Sequence, residues 1–115
     1  MQNPEKIKKE KQNMLSNFRS YQMAVTLHKG CTTLKLPGYL RDQLLRASSS
    51  VALNLAEGSA KPTVRDRLRF YNIAFASLRE VQSILELASL EGAASHVAAD
   101  QLAGCLYRLT RGHPS

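Results

Sequence analysis

The chain has 115 residues, with 16 lysine and arginine residues against 9 aspartate and glutamate residues, and a formal charge of +7 at neutral pH. This length predicts a single domain, because one hydrophobic core typically serves about 100–150 residues, and the apolar fraction of 43% excludes a wholly disordered chain. No apolar run exceeds four residues, whereas a membrane span needs about 18–20. The lysine-rich start lacks the apolar segment of a signal peptide, so we expect a cytoplasmic protein with no membrane partner.

The sequence predicts an all-α fold. No stretch alternates apolar and polar residues with β-branched or aromatic enrichment, and no Asn-Gly or Asp-Gly hairpin turn occurs. Residues 1–15 have almost nothing to bury, so we expect a mobile basic N-terminal arm in front of a helical domain over residues 16–112. The lysines of this arm are Lys6, Lys8, Lys9 and Lys11.

The first helix is expected to start with Ser16 or Asn17 as N-cap and to run to about Leu34, before the turn at residues 36–38. Apolar residues recur along it at helical spacing and predict its inner side. They are Phe18, Tyr21, Val25 and the apolar positions between Leu27 and Cys31.

The second helix is expected over residues 39–57, with Gly58 as the glycine that follows its end. Its core-facing positions recur at offsets of three and four, and they are Leu40, Leu44, Ala47, Val51 and Leu55. A narrower strip beside them consists mostly of small residues that let another helix approach closely. This strip contains Leu45, Ala52 and Ala56.

A polar row follows the same helix at Arg46, Ser50 and Asn54, with Glu57 three residues further on. In one interpretation Glu57 is a functional acid that Asn54 orients. In the other, Asn54 is a hydrogen-bonding residue in the helix interface and Glu57 pairs with Arg46, Arg65 or Arg69. We favour the second interpretation, because an active site needs a wider constellation than one carboxylate.

The third helix is expected to begin after the N-cap Thr63, with Asp66 in the capping-box position, and to end near Leu90 before Gly92. Its heptad seam is Tyr71, Ala74, Leu78, Val81, Leu85 and Ala88. Apolar residues also flank the seam, namely Leu68, Phe70, Ile73, Phe75 and Ile84. The apolar arc therefore covers about 220°, against about 100° for a helix that packs on one core, and it predicts a self-association surface.

A fourth helix is expected over residues 95–111, where Gly104 weakens the helical pattern. Its predicted inner residues are Val97, Leu102, Cys105, Leu106 and Leu109. Three short connections between four helices favour an antiparallel up-down-up-down four-helix bundle.

In such a bundle, residues 1–24, 50–77 and 104–115 share one end, which contains eleven basic and four acidic residues and has a charge of +7. The other end has five of each and is neutral. A concentrated positive charge is what phosphate backbones attract, although solvation and helix-dipole compensation also explain surface arginines and lysines. The predicted nucleic-acid-binding residues are Lys6, Lys8, Lys9, Lys11, Arg19, Lys61, Arg65, Arg67, Arg69, Arg108 and Arg111.

Signatures of enzymes and metal sites do not occur in the sequence. It has no phosphate-binding glycine loop, nucleophile elbow, paired Cys-His spacing or EF-hand. His28 and Cys31 share a helical face, and His96 could lie near them, but a metal site needs three or four ligands. Cys31 and Cys105 differ by about 10 Å along the bundle, which disfavours a disulfide. We therefore expect no catalytic residues, metal or cofactor.

Residues 46–58 (RASSSVALNLAEG) resemble a family signature, R-x-x-x-S-[IV]-x-x-N-I-A-E-G. The similarity continues through residues 69–74 (RFYNIA) and 76–82 (ASLREVQ), and it covers roughly residues 18–92. The family is that of the bacterial four-helix-bundle proteins known from intervening sequences in 23S ribosomal RNA genes. The motif residues are Arg46, Ser50, Asn54, Glu57, Gly58, Arg69 and Glu80.

This resemblance implies a four-helix bundle that assembles into a ring-like homopentamer without known catalytic activity. It also implies kinship with accessory proteins of diversity-generating retroelements, which bind nucleic acid and a reverse transcriptase. The leading hypothesis is accordingly a non-enzymatic, oligomeric protein that binds RNA or DNA through its basic end. The alternative is a protein–protein scaffold that does not bind nucleic acid.

Overall fold

The computed structural model describes residues 3–111, and these residues form four α-helices and no strand. The helices are α1 (Pro4–Cys31), α2 (Gly38–Ser59), α3 (Val64–Leu87) and α4 (Ala94–Arg111). Helix α1 contacts α2 and α4, and α3 contacts the same two helices. The all-α prediction is confirmed, and the arrangement is consistent with a four-helix bundle. Met1 and Gln2 of the predicted arm, and Gly112 at the end of the predicted domain, lie outside the described residues.

The first helix begins at Pro4, so the predicted start at Ser16 or Asn17 is wrong. The Asn3 side chain caps it by accepting a hydrogen bond from the Glu5 backbone N–H at 2.9 Å, and proline is well suited to the first helical position. Lysine, glutamate and glutamine are good helix formers even where nothing is buried, so the polar segment continues the helix. The predicted mobility of residues 1–15 stays a prediction.

The inner face of α1 also differs from the prediction, because Phe18 and Tyr21 are exposed. The buried face consists mainly of smaller residues, namely Asn17, Ser20, Ala24, Leu27 and Cys31. Helix α1 ends at Cys31 rather than Leu34. Sequence periodicity failed here because large apolar residues lie beside the small residues that α1 buries.

The core is formed by the predicted seams of α2 and α3. All five seam positions of α2 are buried, as are those of α3 except Ala88, which is partly buried. Most of the surplus apolar arc of α3 packs within the chain: Ile84 is buried, and Leu68 and Phe75 pack against the core. Ile73 remains exposed. The width of the arc therefore reflects contacts with two neighbouring helices more than a need for a partner.

The ends of α2 and α3 differ from the prediction. Gly58 lies within α2, which continues to Ser59. Helix α3 ends at Leu87 rather than near Leu90, and both Ser89 (φ 60°) and Gly92 (φ 83°) take the left-handed conformation after it. The Leu90 N–H reaches back to the Leu85 carbonyl at 2.9 Å and closes the helix end.

The prediction for α4 is confirmed to within one residue. Leu102, Leu106 and Leu109 are buried and Cys105 is half-buried, but Val97 is exposed, so its predicted inner position is wrong. The molecule measures 56 × 22 × 21 Å. Within residues 3–111, none of the helices combines the length and the apolar character that crossing a membrane requires.

Candidate nucleic-acid interface

Two contacts between helices show which of their parts are neighbours. A groove on the surface is lined by residues from Met14 to Tyr21 of α1 together with Ala56 and Ser59 near the end of α2. The Tyr107 ring of α4 meets the Phe75 ring of α3 edge-on, with 6.4 Å between centroids. The middle of α1 thus lies beside the end of α2, and the last turns of α4 lie beside the middle of α3.

The five predicted interface residues of α1 are exposed, and none of them takes part in an ion pair within residues 3–111. Four lie in the polar beginning of the helix, where good helix formers fix their spacing, and Arg19 lies in its middle. Their charges are therefore available to an external anion. These residues are Lys6, Lys8, Lys9, Lys11 and Arg19.

The segment that joins α2 and α3 holds some of its cations in internal contacts. The Lys61 ammonium lies 3.3 Å from the Glu57 carboxylate and 5.1 Å from the centre of the Phe70 ring. The Arg67 guanidinium donates hydrogen bonds to the backbone carbonyls of Lys61 at 2.9 Å and Pro62 at 3.3 Å. Lys61 and Arg67 are half-buried, and these contacts give both of them a structural role.

The beginning of α3 presents its other arginines to solvent. Thr63 caps the helix as predicted, its hydroxyl accepting from the Asp66 backbone N–H at 3.2 Å. Arg65 is exposed, and Arg69 is exposed with its guanidinium 5.0 Å from the centre of the Phe70 ring. The Phe70 ring therefore has two cations, Lys61 and Arg69, within the range of a cation–π contact.

The last turns of α4 carry the remaining two predicted residues, and both are exposed. The Arg111 guanidinium lies 5.4 Å from the centre of the Tyr107 ring, and Arg108 extends towards the Cys105 sulfur at 3.5 Å. Cations at this position also offset the negative end of the helix dipole. Nine of the eleven predicted residues are therefore exposed, and Lys61 and Arg67 are the half-buried exceptions.

The motif residues of α2 meet α3 along one face of the molecule. The Arg46 guanidinium lies 3.6 Å from the Glu80 carboxylate, and the hydroxyls of Ser50 and Ser77 are hydrogen-bonded at 2.8 Å. The Asn54 amide donates to the Ser50 carbonyl at 2.9 Å and to the Ser50 hydroxyl at 3.0 Å. Asn54 therefore hydrogen-bonds within α2, to the serine that contacts α3, and not across the interface as the favoured interpretation expected.

The predicted partners of Glu57 are wrong. Its carboxylate pairs with Lys61, two residues after the end of α2, rather than with Arg46, Arg65 or Arg69. The backbone turn beyond the helix brings Lys61 back, because its N–H donates to the Gly58 carbonyl at 3.1 Å.

Gly58, the last residue of the motif signature, allows α2 and α3 to approach each other closely. A β-carbon at this position would stand 2.7 Å from the Tyr71 ring and 3.0 Å from the Phe70 β-carbon. Gly58 is buried, and Tyr71 is buried against it. The sequence pattern alone favoured a helix-ending glycine, and nothing local in it distinguishes the two roles.

A family model described as 23S rRNA-intervening sequence protein matches residues 12–111 of the chain. The chain belongs to the 23S rRNA-intervening sequence protein family. The resemblance that the motifs around Asn54 and Glu80 carry is thereby confirmed, and the match extends it into α1 and through α4. No curated protein and no solved structure matches the chain.

In this 23S rRNA-intervening sequence protein family member, His28 and His96 have polar neighbours within the described part of the chain. His28 Nδ1 lies 2.7 Å from the Ser48 hydroxyl, and His96 lies 3.6 Å from Glu86 and 3.7 Å from Asp100. No group of three or more metal-ligating side chains occurs in the part of the chain that the structure describes. Cys31 and Cys105 are free thiols, and burial raises the pKa of Cys31 to about 11.

One further feature of this family member, the groove beside α1, was not predicted from the sequence. Its walls are large apolar residues of α1, and its floor is small residues of α2. The sequence signal for this groove was a seven-residue spacing of apolar residues, which occurs in two series along the helix. Ile7, Met14 and Tyr21 form one series, and Phe18 and Val25 form the other. That signal was hidden because the first half of α1 was expected to be an arm.

Proposed function

We propose that the protein is a non-enzymatic homo-oligomer that binds the phosphate backbone of RNA or DNA through its basic end. The observation that carries this proposal is the exposure of nine of the eleven predicted basic residues. Membership of the 23S rRNA-intervening sequence protein family supports a role related to ribosomal RNA.

The proposal includes the antiparallel up-down-up-down order of the helices. The pairs Arg46–Glu80 and Ser50–Ser77 support it, because a later residue of α2 meets an earlier residue of α3. The close approach of Gly58 to Tyr71 continues the same order. In a ring of parallel subunits, such as the pentamer that the resemblance implies, the basic ends of all copies would form one positive face.

Lysines and arginines on such a face would bind nucleic acid with steep salt dependence and little sequence preference. Each neutralised phosphate releases bound counterion, which contributes about −0.9 to the slope of log affinity against log salt for duplex DNA. Contacts of this type position a protein on the backbone and carry no base information.

Electrophoretic mobility with a structured RNA and a duplex DNA at two salt concentrations tests the proposal. We expect a shift with at least one of them at low salt, weakened strongly at high salt. Absence of any shift at low salt would refute nucleic-acid binding.

A matched pair of variants tests where the nucleic acid binds. The first double variant, Arg19→Glu/Arg65→Glu, reverses two charges in the predicted interface. The second, Lys29→Glu/Lys35→Glu, reverses two charges at exposed residues outside it. We expect affinity to fall strongly for the first pair and weakly for the second. Equal losses would show that total charge, and not this interface, governs binding.

A scaffold that binds another protein remains the second candidate, because exposed apolar side chains cluster on α1. It predicts that charge reversal at Arg65, Arg67 and Arg69 leaves binding of the protein partner intact. A reverse transcriptase is the partner that the family kinship implies. Its binding is tested by co-purification with the wild-type protein and with the charge-reversed variant.

A further inference from the structure

The beginning of α1 extends past the helices that pack on it. At 28 residues α1 is the longest of the four helices, and the groove that it shares with the end of α2 is lined by its residues from Met14 onwards. Residues 3–12 are exposed, apart from half-buried Ile7. Ten residues make almost three turns and point in every direction around the helix axis, so no face of this segment packs against another helix within residues 3–111. We call residues 4–12 the α1 overhang.

Four lysines lie on two opposite sides of the α1 overhang. Successive residues of a helix are about 100° apart around its axis. Lys6 and Lys9 therefore share one side, and Lys8 and Lys11 share another that is about 160° away. None of the four takes part in an ion pair within residues 3–111. The overhang thus presents two rows of cations that are available to an external anion.

The acidic residues of the α1 overhang lie between the two lysine rows. Helical spacing places Glu5 on one intervening face and Glu10 on the other. Four lysines against two glutamates leave a net charge of +2, and the positive end of the helix dipole adds about half an elementary charge. This charge pattern favours an anionic ligand that meets the helix on two opposite sides rather than on one.

The major groove of B-form DNA is a ligand of that shape. An α-helix with its side chains is about 10–12 Å across, and the major groove is about 12 Å wide and admits an α-helix. Phosphates border this groove on both sides, so a helix lying in it would have one lysine row against each strand. A carboxylate that faces the base edges can accept a hydrogen bond from the amino group of cytosine. Duplex RNA differs, because its major groove is too deep and narrow for side chains to read.

We infer that the α1 overhang binds in the major groove of duplex DNA. Lys6 and Lys9 contact the phosphates of one strand, and Lys8 and Lys11 contact those of the other. This inference rests on the proposed binding of nucleic acid through the basic end, and it narrows the ligand from RNA or DNA to duplex DNA.

Binding of the full chain to a DNA duplex and to an RNA duplex of the same sequence tests the preference. Fluorescence anisotropy at several salt concentrations should give an affinity for DNA that is higher by about 10-fold or more. Dimethyl sulfate then locates the contact, because it methylates guanine N7 in the major groove and adenine N3 in the minor groove. We expect the protein to protect guanine N7 and to leave adenine N3 reactive.

A matched pair of variants at residue 10 tests whether the overhang must be helical. Glu10→Pro breaks the helix and keeps all four lysines, whereas Glu10→Ala makes the same change of charge and keeps the helix. Removal of a carboxylate alone should strengthen DNA binding, so Glu10→Ala should bind at least as tightly as wild type. Glu10→Pro should bind DNA about 10-fold more weakly than Glu10→Ala. Because residue 10 is exposed, both variants should unfold at the wild-type urea concentration.

Loss of each lysine row tests the contact with both strands. Lys6→Gln/Lys9→Gln removes one row, and Lys8→Gln/Lys11→Gln removes the other. Each should lower the magnitude of the salt slope for DNA by about 2, since each neutralised phosphate contributes about 0.9. The control Lys29→Gln/Lys35→Gln removes two exposed lysines elsewhere and should change the slope by less than about 0.5.

Several results would overturn the inference and leave the proposed function intact. They are comparable affinities for the two duplexes, guanine N7 that stays reactive in the complex, equal binding by the two residue-10 variants, and a slope that either lysine row leaves unchanged. Absence of binding to both duplexes at low salt is a different outcome, because it would refute the proposed function and the inference together.

Discussion

Gly58 and Tyr71 set the distance between α2 and α3: a β-carbon on residue 58 would stand 2.7 Å from one carbon of the tyrosine ring and 2.9 Å from the next. Real β-carbon contacts essentially never fall below 3.0 Å. The ring is buried and packed in the core, so it has little room to turn away. The last residue of the family signature is therefore explained by packing.

We expect Gly58→Ala to destabilise the protein by about 1–2 kcal/mol. Overpacking costs about 1–3 kcal/mol, and the higher helix propensity of alanine recovers up to about 1 kcal/mol. Urea denaturation followed by circular dichroism measures the difference.

Gly104→Ala is the matched control, because residue 104 also lies within a helix and its nearest neighbour, Arg108 Nη1, would be 3.7 Å from the new β-carbon. This variant should gain up to about 1 kcal/mol from helix propensity alone. A stabilised Gly58→Ala protein would contradict the close approach of the two helices.

The Arg46–Glu80 ion pair is expected to add little stability, although both residues belong to the motif. Their atoms are 3.6 Å apart, and the side chains are 73% and 44% exposed. Exposed pairs of this kind contribute about 0–1 kcal/mol and are screened by salt. We expect Arg46→Ala to change the unfolding free energy by less than about 0.5 kcal/mol.

Leu44→Ala, two residues before Arg46 and fully buried, provides the comparison and should cost about 2–5 kcal/mol. If Arg46→Ala proved as costly as Leu44→Ala, the pair would be a core determinant of the fold. With the small effect expected here, the motif face is more easily understood as a surface for contacts with another molecule.

Periodicity predicted the parts of the fold in which large residues alone decide burial. The seams of α2 and α3 are of that kind, because leucine and valine recur on one face. Helix α1 was mispredicted because its core contacts are made by Ser20, Ala24 and Asn17 while Phe18 lies outside. Single-sequence patterns rank residues by size and polarity, and here the neighbouring helices leave room only for small ones.

The candidate interface was predictable for a different reason. Charged side chains are rarely buried, so those on a helix usually lie on its solvent-exposed side. Counting them by helix half therefore identified residues that are mostly exposed. What the count could not show is which cations are held internally. The two backbone carbonyls that Arg67 contacts lie in the turn before α3, and turn geometry is not encoded in a charge pattern.

The buried thiol of Cys31 should make the stability of the protein depend on pH in the alkaline range. Burial raises the pKa of its thiol from 9.0 to about 11, while a hydrogen bond with Ser48 acts in the opposite direction. At a pH between 9 and about 11, the Cys31 thiol loses its proton in the unfolded chain and keeps it in the folded chain. Stability should therefore be fully present below pH 9 and fall as the pH rises towards 11, by at most about 1.4 kcal/mol per pH unit.

Denaturant unfolding at pH 8, 9 and 10 measures this slope, and Cys31→Ala should reduce it. Burial also raises the pKa of Tyr71, so a part of the slope should remain in that variant. An identical slope in wild type and Cys31→Ala would contradict the effect of burial on this thiol.

Arg65 and Arg67 lie two residues apart in the predicted interface, and we expect them to act differently. The Arg67 guanidinium donates to two backbone carbonyls at 2.9 and 3.3 Å, whereas Arg65 is exposed and forms no ion pair within residues 3–111. Hydrogen bonds from a charged donor contribute about 1.5–3 kcal/mol, and less where water competes. Arg67→Ala should therefore destabilise the protein by about 1–2 kcal/mol, and Arg65→Ala by less than about 0.5 kcal/mol.

In nucleic-acid binding, Arg65→Ala should have the larger effect and Arg67→Ala the smaller. Each variant is measured under conditions in which it is folded. Loss of one phosphate contact lowers the magnitude of the salt slope by about 1, which we expect for Arg65→Ala. Arg67→Ala should keep the wild-type slope, since its charge is already committed to the turn. A reduced slope for Arg67→Ala together with unchanged stability would reverse these roles, because the carbonyl contacts would then be too weak to withhold the guanidinium from phosphate.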